Sequence, residues 1–144
     1  MYQHILIPVD GSPTSERALQ EALRFAQQQG AQLELVYVVE NLLSKEGYVI
    51  YAELQKVVRS NGRKILTQAR NVVQQAGMTA EIKLLEAGGK RIANVILAEA
   101  KRWSADLIVI GTHGRSGFSS LLFGSVAEGV VRTAHIPVLL IRGI

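Results

Sequence analysis

The sequence predicts a doubly wound α/β domain built on a five-stranded parallel sheet. Short apolar runs alternate along the chain with segments in which apolar residues recur every three or four positions, a pattern typical of strands alternating with helices. Each connection between runs is long enough for a crossover helix, so we expect parallel strands with helices on both faces. The predicted strands are residues 5–9, 33–39, 80–85, 107–110 and 138–141.

The composition of each run predicts its place in the sheet. The first, second and fourth runs are almost continuously apolar, as expected for strands covered on both faces. The third run alternates Ile82 and Leu84 with Glu81 and Lys83, which is typical of a half-exposed strand. We therefore expect the third strand at an edge of the sheet.

Capping residues predict where the helices begin and end. Ser12 followed by Pro13 is a favourable start for the first helix, and Gly30 is a favourable end. The second helix contains Gly62, a residue expected to weaken or bend it. The predicted helices are residues 13–29, 51–76, 91–103 and 125–134.

Bulk composition limits the class of protein. With 144 residues, 48% of them hydrophobic, the chain is expected to form one domain over residues 1–144. It has no cysteine, so neither a disulfide nor a thiolate enters its chemistry. The net charge of +4 comes from scattered basic pairs, which disfavours a nucleic-acid surface. Without a signal-peptide pattern or an apolar run of about 20 residues, a cytoplasmic protein is expected.

Two loops are candidates for a binding site. In an open parallel sheet, ligands bind beyond the carboxyl ends of the strands, where the chain order reverses. One such loop begins at Asp10, and the other begins at Gly111. In the second loop, glycines let the backbone approach an anion closely, and Gly124 with Ser125 places free N–H groups at a helix N-terminus. Arg115 can add a forked donor, so this loop predicts polyphosphate binding.

Four segments of the chain form a characteristic set. They are the spacing Gly-x2-Gly-x9-Gly-Ser over residues 111–125, and the sequences HILIPVDGS from residue 4, ADLIVIGTHG from residue 105 and HIPVLLI from residue 135. In this combination, and over essentially its whole length, the chain resembles the ATP-binding branch of the universal stress proteins. The resemblance implies strand order 3-2-1-4-5 in a Rossmann-like, adenine nucleotide alpha hydrolase-like fold. It also implies a nucleotide-dependent sensor or regulator that binds ATP in stress response.

The resemblance implies roles for individual residues as well. Asp10 would take the ribose or a bound metal ion, and Pro8 and Val9 would line the adenine side. Val38 or Val39 would offer backbone groups to the edge of the adenine. Mg or Mn would accompany the triphosphate. The phosphates would be held by Gly111, Gly114, Arg115, Gly124, Ser125 and Val126.

Some of these residues have a second interpretation. Asp10 precedes Gly-Ser-Pro, where an Asx turn is common. His113 would contact phosphate or metal, or it would be a solvated loop histidine. The loop also carries apolar residues that would pack beneath it or form a lid or partner surface ordered by nucleotide. These residues are Phe118, Leu121, Leu122 and Phe123.

The last strand predicts a partner. In the order that the resemblance implies, Val138–Ile141 lies at the edge of the sheet, and an apolar edge invites pairing with another chain. The resemblance likewise implies dimerisation through this strand. We therefore expect an antiparallel homodimer.

The function classes left open are a nucleotide sensor and an enzyme that uses ATP. The chain lacks the Gly-Lys-Ser/Thr of a P-loop, and no catalytic pair of carboxylates can be assigned, which favours the sensor. A weak ATPase or phosphoryl-transfer enzyme is the alternative, because a metal and Arg115 would stabilise transition-state charge. An FMN domain of the same topology is disfavoured, since the loop after the first strand is short and acidic.

Overall fold

A computed structural model describes residues 1–40, 48–112 and 124–142, and in it five parallel strands form one sheet. The order is β3-β2-β1-β4-β5, which confirms the predicted fold class and strand order. The strands are β1 (His4–Pro8), β2 (Gln32–Val39), β3 (Ala80–Glu86), β4 (Leu107–Gly111) and β5 (Val138–Ile141).

Four helices connect the strands, as predicted, with boundaries within three residues of the expected ones. They are α1 (Pro13–Gln29), α2 (Tyr48–Gln75), α3 (Ile92–Trp103) and α4 (Ser125–Thr133). In the part of the chain that the structure describes, no helix is long and apolar enough to span a bilayer.

The centre of the sheet is β1, which pairs with β2 on one side and β4 on the other. Ile5 is aligned with Leu33 of β2 and with Leu107 of β4. Ile5, Leu6 and Ile7 are completely buried, because helices cover both faces of this strand. The outer strand β3 is half-exposed along its length, as its alternating sequence predicted.

The two faces of the sheet form two separate cores. Helices α1 and α2 pack on one face, over side chains such as Ile7 and Leu35. Helices α3 and α4 pack on the other face, over Leu6, Val36 and Ile108. The alternation of side chains along β1 and β2 therefore decides which helix pair each residue meets.

Helix α1 begins and ends at the residues that its caps predicted. Ser12 is extended, and its Oγ accepts a hydrogen bond from the Ser15 N–H at 3.1 Å. Gly30 is left-handed, with φ of 67°, and its N–H donates to the Ala26 carbonyl. The Ser12 cap fixes the turn by which the chain passes from β1 into α1, at the carboxyl end of the sheet.

Gly62 has a packing role that its sequence context did not show. Helix α2 runs unbroken through this position. An added Cβ would lie 2.6 Å from Cδ1 of Tyr37 and 3.0 Å from Cδ1 of Leu84, far inside normal contact. Glycine at this position lets α2 lie close against β2 and β3.

We expect Gly62→Ala to destabilise the protein. The Tyr37 ring would have to move, and overpacking of this kind costs about 1–3 kcal/mol, while the gain in helix propensity is about 1 kcal/mol. Urea unfolding should therefore show a net loss of about 1 kcal/mol. The exposed neighbour Asn61→Ala is the control, with no loss expected. Equal stability of Gly62→Ala and wild type would show that the ring has room to move.

Candidate functional site

A cavity of about 480 Å³ opens at the carboxyl edge of the sheet, where the ends of β1 and β4 diverge. It lies between the ends of β1, β2 and β4 and the first turns of α3 and α4. The volume is within the range of small-molecule sites, and the position is the one where ligands bind in sheets of this kind. Its walls divide into a polar turn, a helix N-terminus and an apolar slot.

The polar turn joins β1 to α1. Asp10 Oδ1 accepts from the Ser12 N–H at 2.8 Å, which is an Asx turn. The Asp10 N–H donates in turn to Ser15 Oγ at 3.1 Å. Asp10, Ser12 and Ser15 all line the cavity. Both interpretations of Asp10 are therefore compatible, since one oxygen makes the turn while the residue faces the cavity.

The helix N-terminus belongs to α4. Its N-cap residue Gly124 has no side chain to cap the helix, and the first N–H groups of a helix have no partner within it. Ser125 and Val126 follow and line the cavity. The Gly124 N–H donates to the Thr112 carbonyl, and the Thr112 N–H donates to the Ile141 carbonyl at 2.9 Å. These bonds tie the start of α4 to β4 and β5, so the helix dipole is held toward the cavity.

The apolar slot is formed by strand ends and by α3. Val36 and Val38 of β2, Ile110 of β4 and Ile92 and Ile96 of α3 line it. Ile96 is 1% exposed and Ile110 5%, so the slot is backed by the core rather than by mobile surface. Such a surface favours a flat apolar group next to the polar end of the cavity.

The structure brings together most of the residues that the sequence predicted. Eight of them line the cavity: Pro8, Val9, Asp10, Val38, Gly111, Gly124, Ser125 and Val126. Val39 does not, because its side chain is completely buried in the core under α1 and α2. Its carbonyl accepts from the Ala87 N–H at 2.9 Å. Of the two residues left open at the end of β2, only Val38 lies at the cavity.

Part of the predicted loop lies outside the described residues. This holds for the predicted ligand contacts His113, Gly114 and Arg115. It holds equally for the apolar residues Phe118, Leu121, Leu122 and Phe123. The described residues on either side of this segment, Thr112 and Gly124, are hydrogen-bonded to each other at the cavity.

Gly111 has a structural reason to be glycine, independent of any ligand. An added Cβ would lie 2.6 Å from Thr14 Cγ2 and 3.1 Å from the Thr14 carbonyl carbon and oxygen. Thr14 is in the first turn of α1, so glycine lets that turn lie directly against β4. Gly111 therefore helps to hold the polar turn in place.

Sequence reasoning missed the apolar slot. Ile92 and Ile96 are four residues apart on one face of α3, and this spacing was the available signal. What it could not show is that this face covers the ends of β2 and β4. The further lining residues that were not predicted are Ser12, Ser15, Val36, Tyr37, Glu40, Val58, Ile110, Thr112 and Ala127.

The described residues offer few side chains that could bind a metal ion. None of them form a group of three or more His, Cys, Asp or Glu side chains that could hold one. Among the described lining residues, Asp10 and Glu40 are acidic. Mg²⁺ is commonly held by one or two carboxylates together with substrate phosphates. The donor set thus fits a metal that arrives with a phosphate ligand.

These features define a Rossmann-like α/β protein with a ligand-sized cavity where the strand order reverses. The chain belongs to the universal stress protein family, whose family model matches residues 1–142. It is 33% identical over 147 residues to a universal stress protein of Methanocaldococcus jannaschii, covering 99% of this chain and 83% of that protein.

Solved structures of other family members have the same fold. The universal stress protein UspA from Lactobacillus plantarum matches with a TM-score of 0.86 and 26% identity, over 98% of each chain. The universal stress protein from Archaeoglobus fulgidus in complex with dAMP matches with a TM-score of 0.70 and 28% identity. That match covers 97% of this chain and 98% of the other.

Proposed function

We propose that the chain binds an adenine nucleotide, ATP with Mg or Mn, and acts as a nucleotide-dependent sensor or regulator in stress response. The observation that carries the proposal is that one cavity combines an apolar slot, a carboxylate turn and a helix N-terminus. These three parts suit a base, a ribose and a phosphate chain. The dAMP complex of the Archaeoglobus fulgidus relative supports adenine as the base.

Each part of the nucleotide has a candidate set of contacts. The base would lie against the apolar slot, beside Val9 and Val38, with its edge toward the backbone at the end of β2. Asp10 would accept from a ribose hydroxyl or bind the metal. The N–H groups of Ser125 and Val126 would donate to phosphate oxygens, helped by the dipole of α4. Gly114 and Arg115 are proposed as further phosphate contacts.

A sensor is favoured over an enzyme by the chemistry of the described walls. Phosphoryl transfer depends on positive groups that neutralise charge on the transferred phosphoryl group, in addition to metal. Among the described residues that line the cavity there is no lysine, arginine or histidine. The described walls therefore offer phosphates backbone donors, and Arg115, outside the described residues, is the cation that a weak ATPase would use.

The test is to identify the ligand and then to measure turnover. Mass spectrometry of the small molecules released on denaturing the purified protein should find an adenine nucleotide. Calorimetric titration of nucleotide-free protein with ATP and magnesium should show binding, and steady-state assays should show no appreciable hydrolysis. If neither ATP nor dAMP gives a heat of binding, the proposal is refuted. Rapid ATP turnover would instead identify the protein as an enzyme rather than a sensor.

We further propose a homodimer through β5. Within the described chain β5 pairs with β4 alone, and Val138, Leu139 and Leu140 are each only partly buried. An apolar strand with an unpaired edge is a template for strand pairing. Sedimentation velocity at micromolar concentration should give the mass of two chains. A species of 15.7 kDa at that concentration would contradict the dimer.

A further inference from the structure

Two acidic side chains meet in the interior between β2 and α3, away from the cavity. Glu34 of β2 is 1% exposed and Glu99 of α3 is 5% exposed. Buried carboxyl groups are rare unless each has a partner. We call Glu34 and Glu99 the acid pair.

The cations around the acid pair contact Glu99 more closely than Glu34. Arg102 on α3 binds Glu99 through two nitrogens, at 2.7 and 2.6 Å, and Lys83 Nζ of β3 is 3.7 Å from the same carboxylate. The ion-pair contact of Glu34 among the described residues is with an Arg102 nitrogen, 3.5 Å from its Oε2, and its Oε1 receives no hydrogen bond from them. Glu99 is therefore the charged member, and Glu34 is the member that can hold a proton.

The other surroundings of Glu34 do not supply a counter-charge. Its neighbour on β1 is the buried, apolar Leu6, and its neighbour on β3 is another acid, Glu81. Burial, together with the hydrogen bond and charge of Glu99, raises the pKa of Glu34 to about 8, against the weaker pull of Arg102 and Lys83. The contact with Arg102 lowers the pKa of Glu99. A protonated Glu34 can donate a hydrogen bond to Glu99, which avoids placing a second charge in the buried pair.

The contact that contains the acid pair also builds a wall of the cavity. Ile92 and Ile96 of α3 line the apolar slot, and Glu99 follows one turn later on the same buried face. On β2, Val36 lines the slot and stands two residues from Glu34, on the same face of the strand. A change in how α3 lies on β2 at the acid pair therefore changes the slot.

We propose that the acid pair makes the packing of α3, and through it ligand affinity in the cavity, depend on pH between neutral and mildly alkaline conditions. With the proton present, Glu34 bridges to Glu99 and α3 is held against the sheet. When the proton leaves, two buried carboxylates are in contact, and their repulsion displaces α3 and its two isoleucines. The part of this proposal that concerns affinity rests on the proposed function.

The direction of the pH effect follows from the two shifts. Because the pKa of Glu34 is raised, the folded chain keeps a proton that the unfolded chain releases above its ordinary value of 4.5. Stability should therefore fall as pH rises from about 4.5 to about 8, and level off above. The lowered pKa of Glu99 adds stability that is lost only as pH falls below its ordinary value. The change in stability near neutral pH is therefore attributed to Glu34.

Glu34→Gln tests the stability part, because glutamine imitates the protonated acid in shape and hydrogen bonding. Between pH 6.5 and 9 the urea midpoint of wild type should fall by about 1 M more than that of Glu34→Gln. Glu21→Gln, which removes a half-exposed carboxylate on α1 that pairs with Arg24, should follow the pH dependence of wild type. Parallel curves for wild type and Glu34→Gln would overturn the proposal.

A direct titration covers the case in which the variant does not fold. The carboxyl ¹³C resonance of Glu34 in the wild-type protein should titrate with a midpoint near pH 8. A midpoint near the ordinary value of 4.5 would overturn the proposal without any substitution.

Affinity is tested with AMP at pH 7 and pH 9, where its phosphate is fully or nearly fully ionised. Wild type should bind AMP about five- to tenfold more weakly at pH 9, an ordinary size for coupling between two sites, and Glu34→Gln should show no such loss. A pH-dependent urea midpoint with pH-independent AMP affinity would overturn the coupling to the cavity. Absence of AMP binding at both pH values would contradict the proposed function, and the urea experiment would then decide the stability part alone.

Discussion

Asp10→Asn should weaken binding of ATP with magnesium by about tenfold or more while leaving the fold intact. Asparagine retains an oxygen that can accept from the Ser12 N–H, so the turn that holds the start of α1 survives. What it removes is the negative charge available to a metal ion or a ribose hydroxyl, and hydrogen bonds to charged groups contribute about 1.5–3 kcal/mol. Calorimetric titration and urea unfolding of the same preparation separate the two effects.

Two further variants complete this experiment. Asp10→Ala should lose the affinity and, in addition, about 1 kcal/mol of stability, because the turn loses its acceptor. Asp106→Asn is the matched control, since its carboxylate accepts from the N–H groups of Gln3 and His4, remote from the cavity. Unchanged ATP affinity in Asp10→Asn would show that Asp10 does not bind the ligand and that its role is limited to the turn.

Ser125→Pro should reduce affinity for AMP and ATP by about ten- to a hundredfold without disrupting α4. Proline is tolerated at the first helical position, where its missing N–H has no partner within the helix. The preceding residue, Gly124, is already extended with φ of −60° and ψ of 157°, the conformation that a following proline favours. The substitution therefore deletes the N–H and the hydroxyl of Ser125 while the helix can keep its start.

The matched controls for this prediction vary the ligand as well as the protein. Ser125→Ala removes the hydroxyl but keeps the N–H, so it should lose much less affinity than the proline variant. Adenosine, which has no phosphate, should bind all three proteins equally well. If AMP affinity is the same in folded Ser125→Pro as in wild type, the α4 N-terminus does not hold the phosphate.

Much of the fold could be predicted because local and global signals agree. Ser12, Pro13 and Gly30 mark the ends of α1 through short-range hydrogen bonds, and the structure has them in those roles. The half-exposed edge strand β3 was readable from its alternation. Such features depend on residues close in sequence, or on which faces of a strand are covered.

The features that could not be predicted depend on contacts between distant segments. Gly62 appeared to be a weak point in α2, since nothing nearby in the sequence indicates the Tyr37 ring that lies against it. Val38 and Val39 were equivalent candidates until the structure showed which face of β2 meets the cavity. Glu34 is a lone charge in an apolar run, and its partner Glu99 is 65 residues away, on α3.

The most direct test of the account is to observe the backbone amides at the start of α4 when nucleotide binds. In ¹H–¹⁵N spectra, addition of AMP should shift the Ser125 and Val126 amide resonances strongly, and addition of adenosine should shift them much less. This difference isolates the phosphate at the helix N-terminus. Unmoved Ser125 and Val126 amides at saturating AMP would contradict the central claim that this helix binds the phosphate.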